Sequence, residues 1–363
     1  MKAETISNTL GIATLSLGSW KHHDLRHRLE EASRAGFQAV ELFDEDWAAY
    51  LASQGQHAHD PWTPSEANLS IARDLGDLVN DLGMSIICVQ PLRQIEGWLD
   101  PFQREQSLGR ARERFPFMRA LNTQLTFVCS HVHSNDENAT NHFGVVVQHL
   151  RRLGEMAAAF AQEDGGPTIQ IGYEGLAWGE RNTWSSTWEI VRAVNMSNVG
   201  LVVDTFHWLA VEYADPCARS GDGLAYPSAE EAMDVLVSSI TAFMATVPAD
   251  KIFLVQLSDA ELVNPKYIQT LQKAGMTMLQ TWSRNCRLFP MEHKLGAYLP
   301  VELILAGIMA VGYTGPLSLE VFNESLHSPD DCVPSSHAQR GISSIAKVIG
   351  AAKHIPQFWE GRI

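Results

Sequence analysis

The sequence predicts an α/β fold, a (β/α)8 TIM barrel forming a single domain over residues 1–363, and three observations predict it. Short apolar runs alternate with segments of helical period from one end of the chain to the other. No Pro/Gly/Ser-rich linker or low-complexity stretch interrupts that alternation. The last four apolar runs each end in a polar residue for which a purely structural strand has no use. An open, doubly wound sheet would ordinarily carry a GxGxxG turn after its first strand, and "LGSWKHHD" is not one.

The elements follow in order. "IATLSLG" reads as the first strand, and "DLRHRLEEASRAG" as its helix, with basic residues toward its end and Gly36 suited to the position just past it. "AVELF" is the second strand; "SEANLSIARDLGDLVNDLG" follows, with Ser65 as its cap and Gly83 as its stop. "SIICVQP" and "LTFVCSH" are the third and fourth strands, and "NHFGVVVQHLRRLGEMAAAFAQ" is a long helix. "TIQIGYEG" and "VGLVVDTFH" come next, then the helix "SAEEAMDVLVSSITAFMA". "IFLVQLSD" with "PVELILAGIMAVG", and "PLSLEVF" with "SSHAQRGISSIAKVIGAAK", complete eight strand–helix units.

Composition narrows the function. A chain of 363 residues that is 45% hydrophobic and 19% charged can bury a large core. The net charge of -15, from 27 basic against 42 acidic residues, and the lack of any Lys/Arg run argue against a nucleic-acid partner. Neither a secretory leader nor an apolar stretch of membrane-spanning length is legible, so a cytoplasmic protein without a membrane partner is expected. Five scattered cysteines without CxxC pairing fit reduced thiols.

In a barrel of this kind the C-terminal strand ends face the active site. The fifth strand places Glu174 there, the sixth Asp204, the seventh Gln256 and the eighth Glu320. Three carboxylates at one mouth repel one another unless a cation holds them. An all-oxygen set suits Mg²⁺ or Mn²⁺, with Co²⁺ an alternative, whereas zinc would usually recruit His or Cys; Gln256 would add a neutral oxygen without further charge. His207, three residues past Asp204, is placed for proton transfer. His131 and His133 share one face at the end of the fourth strand, while His22, His23, His57 and His59 read as loop residues without a role. Arg93 follows the third strand, and Arg284 and Arg287 stand in a long loop after the seventh. Guanidinium groups there suit a carboxylate or phosphate on the substrate.

These residues resemble the xylose-isomerase-like barrel superfamily, and more narrowly its fungal-type 3-dehydroshikimate dehydratases. The likeness rests on "VELFDEDW", "VQPLRQIEGW", "YEGLAWG", "VVDTFH", "FLVQLSDAE", "WSRNCRLFP", "GAYLPVE" and "LSLEVFN", spread from residue 40 to 323; "FVCSHVHSND" is richer in histidine than the family pattern. The resemblance implies a metal-dependent hydro-lyase of quinate and shikimate catabolism that converts 3-dehydroshikimate, a cyclic keto acid, to protocatechuate. It implies Glu174, Asp204, Gln256 and Glu320 as metal ligands, His207 as the acid/base, and Arg93, Ser283 and Arg287 as the residues that position substrate. A ketose isomerase or epimerase using the same cation is the alternative within the superfamily. A DNA-repair endonuclease would need more histidines and a basic groove, and a non-catalytic binding barrel would need no metal. Assembly into a homo-oligomer is left open.

Overall fold

The computed structural model describes residues 7–56, 60–132 and 137–355. His57, His59 and His133 lie outside the described residues.

Eight parallel strands close into a barrel: β1 (Leu10–Ala13), β2 (Ala39–Phe43), β3 (Ser85–Leu92), β4 (Leu125–Cys129), β5 (Gln170–Glu174), β6 (Val199–Asp204), β7 (Ile252–Leu257) and β8 (Leu317–Leu319), with β8 pairing to β1. The strands are apolar on both faces because helices cover the outside and side chains fill the inside. The expected helices are present as Leu25–Ala35, Glu66–Asp81, Phe143–Asp164, Ala229–Thr246, Val301–Ala310 and Val333–Lys353. Ser65 caps Glu66–Asp81 by accepting from the Asn68 amide, and Gly36 ends the first helix at φ 103°.

The ends of some strands differ from the sequence expectation. The first run contributes only its opening residues to β1, and Thr14–Leu17 turns as a 3-10 segment. β8 stops at Leu319, and Glu320 follows it, its amide still donating to the Leu257 carbonyl of β7 at 3.3 Å. The helical segments expected after β3 and β5 are Pro101–Ala120 and Trp184–Val194. The first is arginine-rich and carries Pro116 internally, and the second is short, with Thr183 and Ser186 forming its capping box.

Register explains which residues face the barrel axis. Phe127 pairs with Gly172 and Cys129 with Glu174; Glu174 pairs with Val202; Asp204 pairs with Gln256, and Gln256 with Ser318. A period of two then sends Glu174, Asp204, Gln256 and Glu320 inward at one end, above a small apolar layer of Cys88, Phe127, Val202 and Leu254. Gly172 is a glycine because of that layer: a Cβ there would lie 2.5 Å from Val202 Cγ2 and 2.8 Å from Phe127 Cβ. Gly172→Ala should therefore cost about 1–3 kcal/mol through overpacking, read as a lower denaturant midpoint at unchanged slope.

Candidate metal centre and active site

Every strand-end oxygen expected from the sequence reaches one buried cluster. Glu174, Asp204, Gln256 and Glu320 are each at most 5% exposed. Among the described residues, Glu174, Asp204 and His207 offer ligand atoms that all lie within 4.8 Å of one another. Asp204 ends β6 and caps the helix Thr205–Glu212 by accepting from the Phe206 amide at 2.7 Å; His207 therefore falls in that helix's first turn, directly over the barrel.

Two further polar side chains belong to the cluster. Gln256 Nε2 donates to Glu41 Oε2 at 2.8 Å, and Gln90 Nε2 donates to Glu320 Oε1 at 2.9 Å and to the same Glu41 oxygen at 3.3 Å. The Gln256 nitrogen is spent on Glu41, and its Oε1 is buried without a hydrogen-bond partner among the described residues. An amide oxygen left this way is costly unless something positive meets it. Glu41 and Gln90 are absent from the set expected from the sequence. Their signal is the same one that marks Gln256, a polar residue inside an apolar strand, and "AVELF" and "SIICVQP" both contain it.

Arg287 is the cation inside this group. Its Nη1 donates to Asp204 Oδ2 at 2.7 Å and to Glu320 Oε2 at 3.2 Å, its Nε donates to Ser283 Oγ at 3.0 Å, and its plane lies over Phe206. An antiparallel two-residue ribbon, Asp259–Ala260 with Arg287–Leu288, carries it there from the long loop after β7. Ser283 is completely buried and touches Arg287. Arg287 sets one positive charge against four carboxylates. Burial, then repulsion from Glu320, pushes Glu41 up to about 8; the same two causes hold Glu174 well above the usual carboxylate range. Glu320 is raised by burial, against the pull of Arg287. A divalent cation fits this donor set: it would meet the orphaned amide oxygen and let the acids ionise together.

His207 Nδ1 accepts the Ala177 amide at 3.0 Å. Nε2 faces the cluster, 3.6 Å from Asp204 Oδ2 and 3.1 Å from Arg287 Nη2, and Trp178 packs edge-on at 5.0 Å. Burial brings the imidazole down to about 3, which outweighs the nearby Asp204, so the ring is neutral at physiological pH.

Beside the cluster opens a cavity of about 720 Å³ whose walls include Trp62, Arg93, Cys129, His131, Trp178 and Arg284. It meets the cluster through Cys129, whose Sγ lies 3.0 Å from Glu174 Oε2, and through Trp178 against His207. Arg93 stands on its wall, half exposed and paired with Glu45 at 3.2 Å. His131 is buried, its ring against Trp98, and its amide donates to Glu96 Oε1 at 2.7 Å.

Burial pushes Glu96 up to about 7 from an ordinary 4.5, against the hydrogen bonds from the His131 amide and the Tyr173 hydroxyl. A folded-state value above the unfolded one means stability is full below about 4.5 and is lost as pH rises toward 7. Glu96→Gln should therefore gain on the wild type by on the order of 1–2 kcal/mol between about pH 5 and about pH 7.5, measured by urea unfolding at both pH values.

The family model described as xylose isomerase-like TIM barrel matches residues 29–347. A 3-dehydroshikimate dehydratase of Neurospora crassa is 31% identical over 94% of this chain and 93% of its own length. A protein of the same name from Pseudomonas aeruginosa is 33% identical over 87% of the chain, which spans 38% of that longer relative. Among solved structures, a xylose isomerase-like TIM barrel/4-hydroxyphenylpyruvate dioxygenase fusion protein superposes with a TM-score of 0.68 at 30% identity, covering 96% of this chain and 44% of that one.

Proposed function

The chain belongs to the xylose isomerase-like TIM-barrel family, and from that premise we propose that its strand-end oxygens form the divalent-metal centre of a 3-dehydroshikimate dehydratase. It is a hydro-lyase acting on a small cyclic keto acid, which it converts to protocatechuate and water. One observation carries the metal reading. Gln256 Oε1 is buried, without a hydrogen bond among the described residues, in a cluster where three ligand-bearing carboxylates outnumber the single guanidinium.

Glu174, Asp204, Gln256 and Glu320 would hold the ion, Mn²⁺ or Mg²⁺ with Co²⁺ as a substitute, and Glu41 and Gln90 set the orientation of the Gln256 amide and the Glu320 carboxylate. A bound divalent ion supplies Lewis acidity, which draws charge from the 3-keto oxygen and loosens the C4 proton. His207 is the proton carrier, and its Nε2 is the ring nitrogen that faces the site. That nitrogen takes the C4 proton and returns it to the departing C5 hydroxyl, so the ring ends as it began and water leaves. Ser283 acts through Arg287, which it holds by Nε, and Arg287 keeps Asp204 and Glu320 in place. Arg93 with Glu45 closes the outer wall of the cavity. No described helix is long and apolar enough to cross a membrane. The proposal places the enzyme in the cytoplasm, where unpaired thiols such as Cys217 and Cys332 stay reduced.

The test is to mix the purified protein with Mn²⁺ and 3-dehydroshikimate and follow the ultraviolet band of a catechol acid. Product should form, stop after exhaustive chelation and resume when Mn²⁺ is returned. Undiminished turnover in chelator would end the metal reading, and no product under any metal would end the dehydratase reading.

A further inference from the structure

The guanidinium groups around the cavity are engaged, with one exception. Arg287 holds Asp204 and Glu320, Arg93 pairs with Glu45, Arg114 pairs with Asp44 at 3.0 Å, and Arg110 donates to the Gln94 carbonyl at 3.2 Å. Arg284, in the last turn of the helix Met278–Asn285, has neither an ion pair nor a hydrogen bond among the described residues. Its guanidinium lies 4.3 Å over the Phe322 ring and 6.0 Å from that of Trp178, and it lines the cavity where the cavity meets the cluster. Burial and the positive charges of Arg287 and Arg93 work against its charge. A cation held this way, by aromatic faces alone, keeps its in-plane N–H fork unspent and gains most from an anion brought into the cavity.

We propose that Arg284 is the residue that receives the substrate's carboxylate and thereby selects a cyclic acid over a neutral polyol. The inference rests on the dehydratase reading and deepens it. The neighbouring candidates are committed elsewhere, since Ser283 and Arg287 face inward to the carboxylates and Arg93 faces Glu45. A single unspent guanidinium matches a singly charged carboxylate; a phosphate dianion would bring a second charge that the engaged arginines do not meet. Stacking on Phe322 fixes the plane of the fork, so a ring held by its carboxylate would enter the cluster in one orientation.

Calorimetric binding of protocatechuate and of catechol, the same diol without the carboxylate, to the Mn²⁺-loaded full chain tests this. In the wild type protocatechuate should bind tighter. In Arg284→Met that advantage should fall by about 10- to 100-fold while catechol affinity holds, as expected for loss of a charge-assisted pair. Arg284→Lys, which keeps the charge but not the fork, should restore part of the advantage. Arg110→Met, a loss of positive charge on the same cavity, should leave the advantage intact. An unchanged advantage in both Arg284 variants, or an equal loss in Arg110→Met, would overturn the assignment. If the wild type makes no protocatechuate from 3-dehydroshikimate yet loses its carboxylate preference in Arg284→Met, the dehydratase reading fails and the Arg284 assignment stands. If the enzyme is active but its preference ignores Arg284, the assignment fails and the dehydratase reading stands.

Discussion

Glu320→Ala is expected to abolish turnover, by at least about 1000-fold, and to strip the bound metal while leaving a folded barrel; several kcal/mol of Lewis-acid stabilisation lost at 1.36 kcal/mol per decade sets that scale. Glu320 stands one residue past β8, where its carboxylate joins Gln90 to Arg287. Its removal deletes one of the ligand oxygens and releases Arg287 from one of its two carboxylates. The barrel survives because alanine keeps the main-chain bond from residue 320 to the Leu257 carbonyl of β7 and because ionising Glu320 in this buried place is costly, as its raised pKa records. Far-ultraviolet circular dichroism should be unchanged, and elemental analysis should find the metal gone. A Glu320→Ala protein that keeps stoichiometric metal and measurable turnover would show that the cluster is not the metal centre.

His207→Ala should separate metal binding from chemistry. Deleting the imidazole leaves the four ligand side chains in place, so metal content should match the wild type, while kcat falls by at least about 100-fold, the usual scale for losing a general acid or base. The Ala177 amide loses its acceptor, Trp178 its neighbour and Arg287 Nη2 a contact, which costs some stability. A kcat within about a factor of ten of wild type would remove His207 from proton transfer. Together with Glu320→Ala, the pair distinguishes a ligand from a proton carrier: one loses metal and activity together, the other activity alone.

Much of this site is legible in the chain because strands have a period of two. Once β5, β6 and β7 are recognised, their last inward residues must be Glu174, Asp204 and Gln256, and Glu320 follows by the same alternation beyond β8. Legibility stops short at β2 and β3, where Glu41 and Gln90 carry the same signal but have no ligand-like partner in sequence. Their meaning depends on closure of the barrel, which sets Glu41 against Gln256 across 215 residues of chain. The fate of the arginines is less accessible still. Ser283, Arg284 and Arg287 share one short motif, yet the fold turns two of them into the carboxylate cluster and leaves the third over Phe322.

The chain by itself determined the barrel and the end of it that carries chemistry, because alternation and strand–helix succession are local regularities that each segment enforces on its own. Only the tertiary structure decided which cation neutralises which acid, which nitrogen of the imidazole faces the site, and which guanidinium is left to meet a ligand. Those outcomes come from contacts between loops and strands far apart in sequence, where no periodicity constrains the backbone and the balance of burial against pairing selects the arrangement.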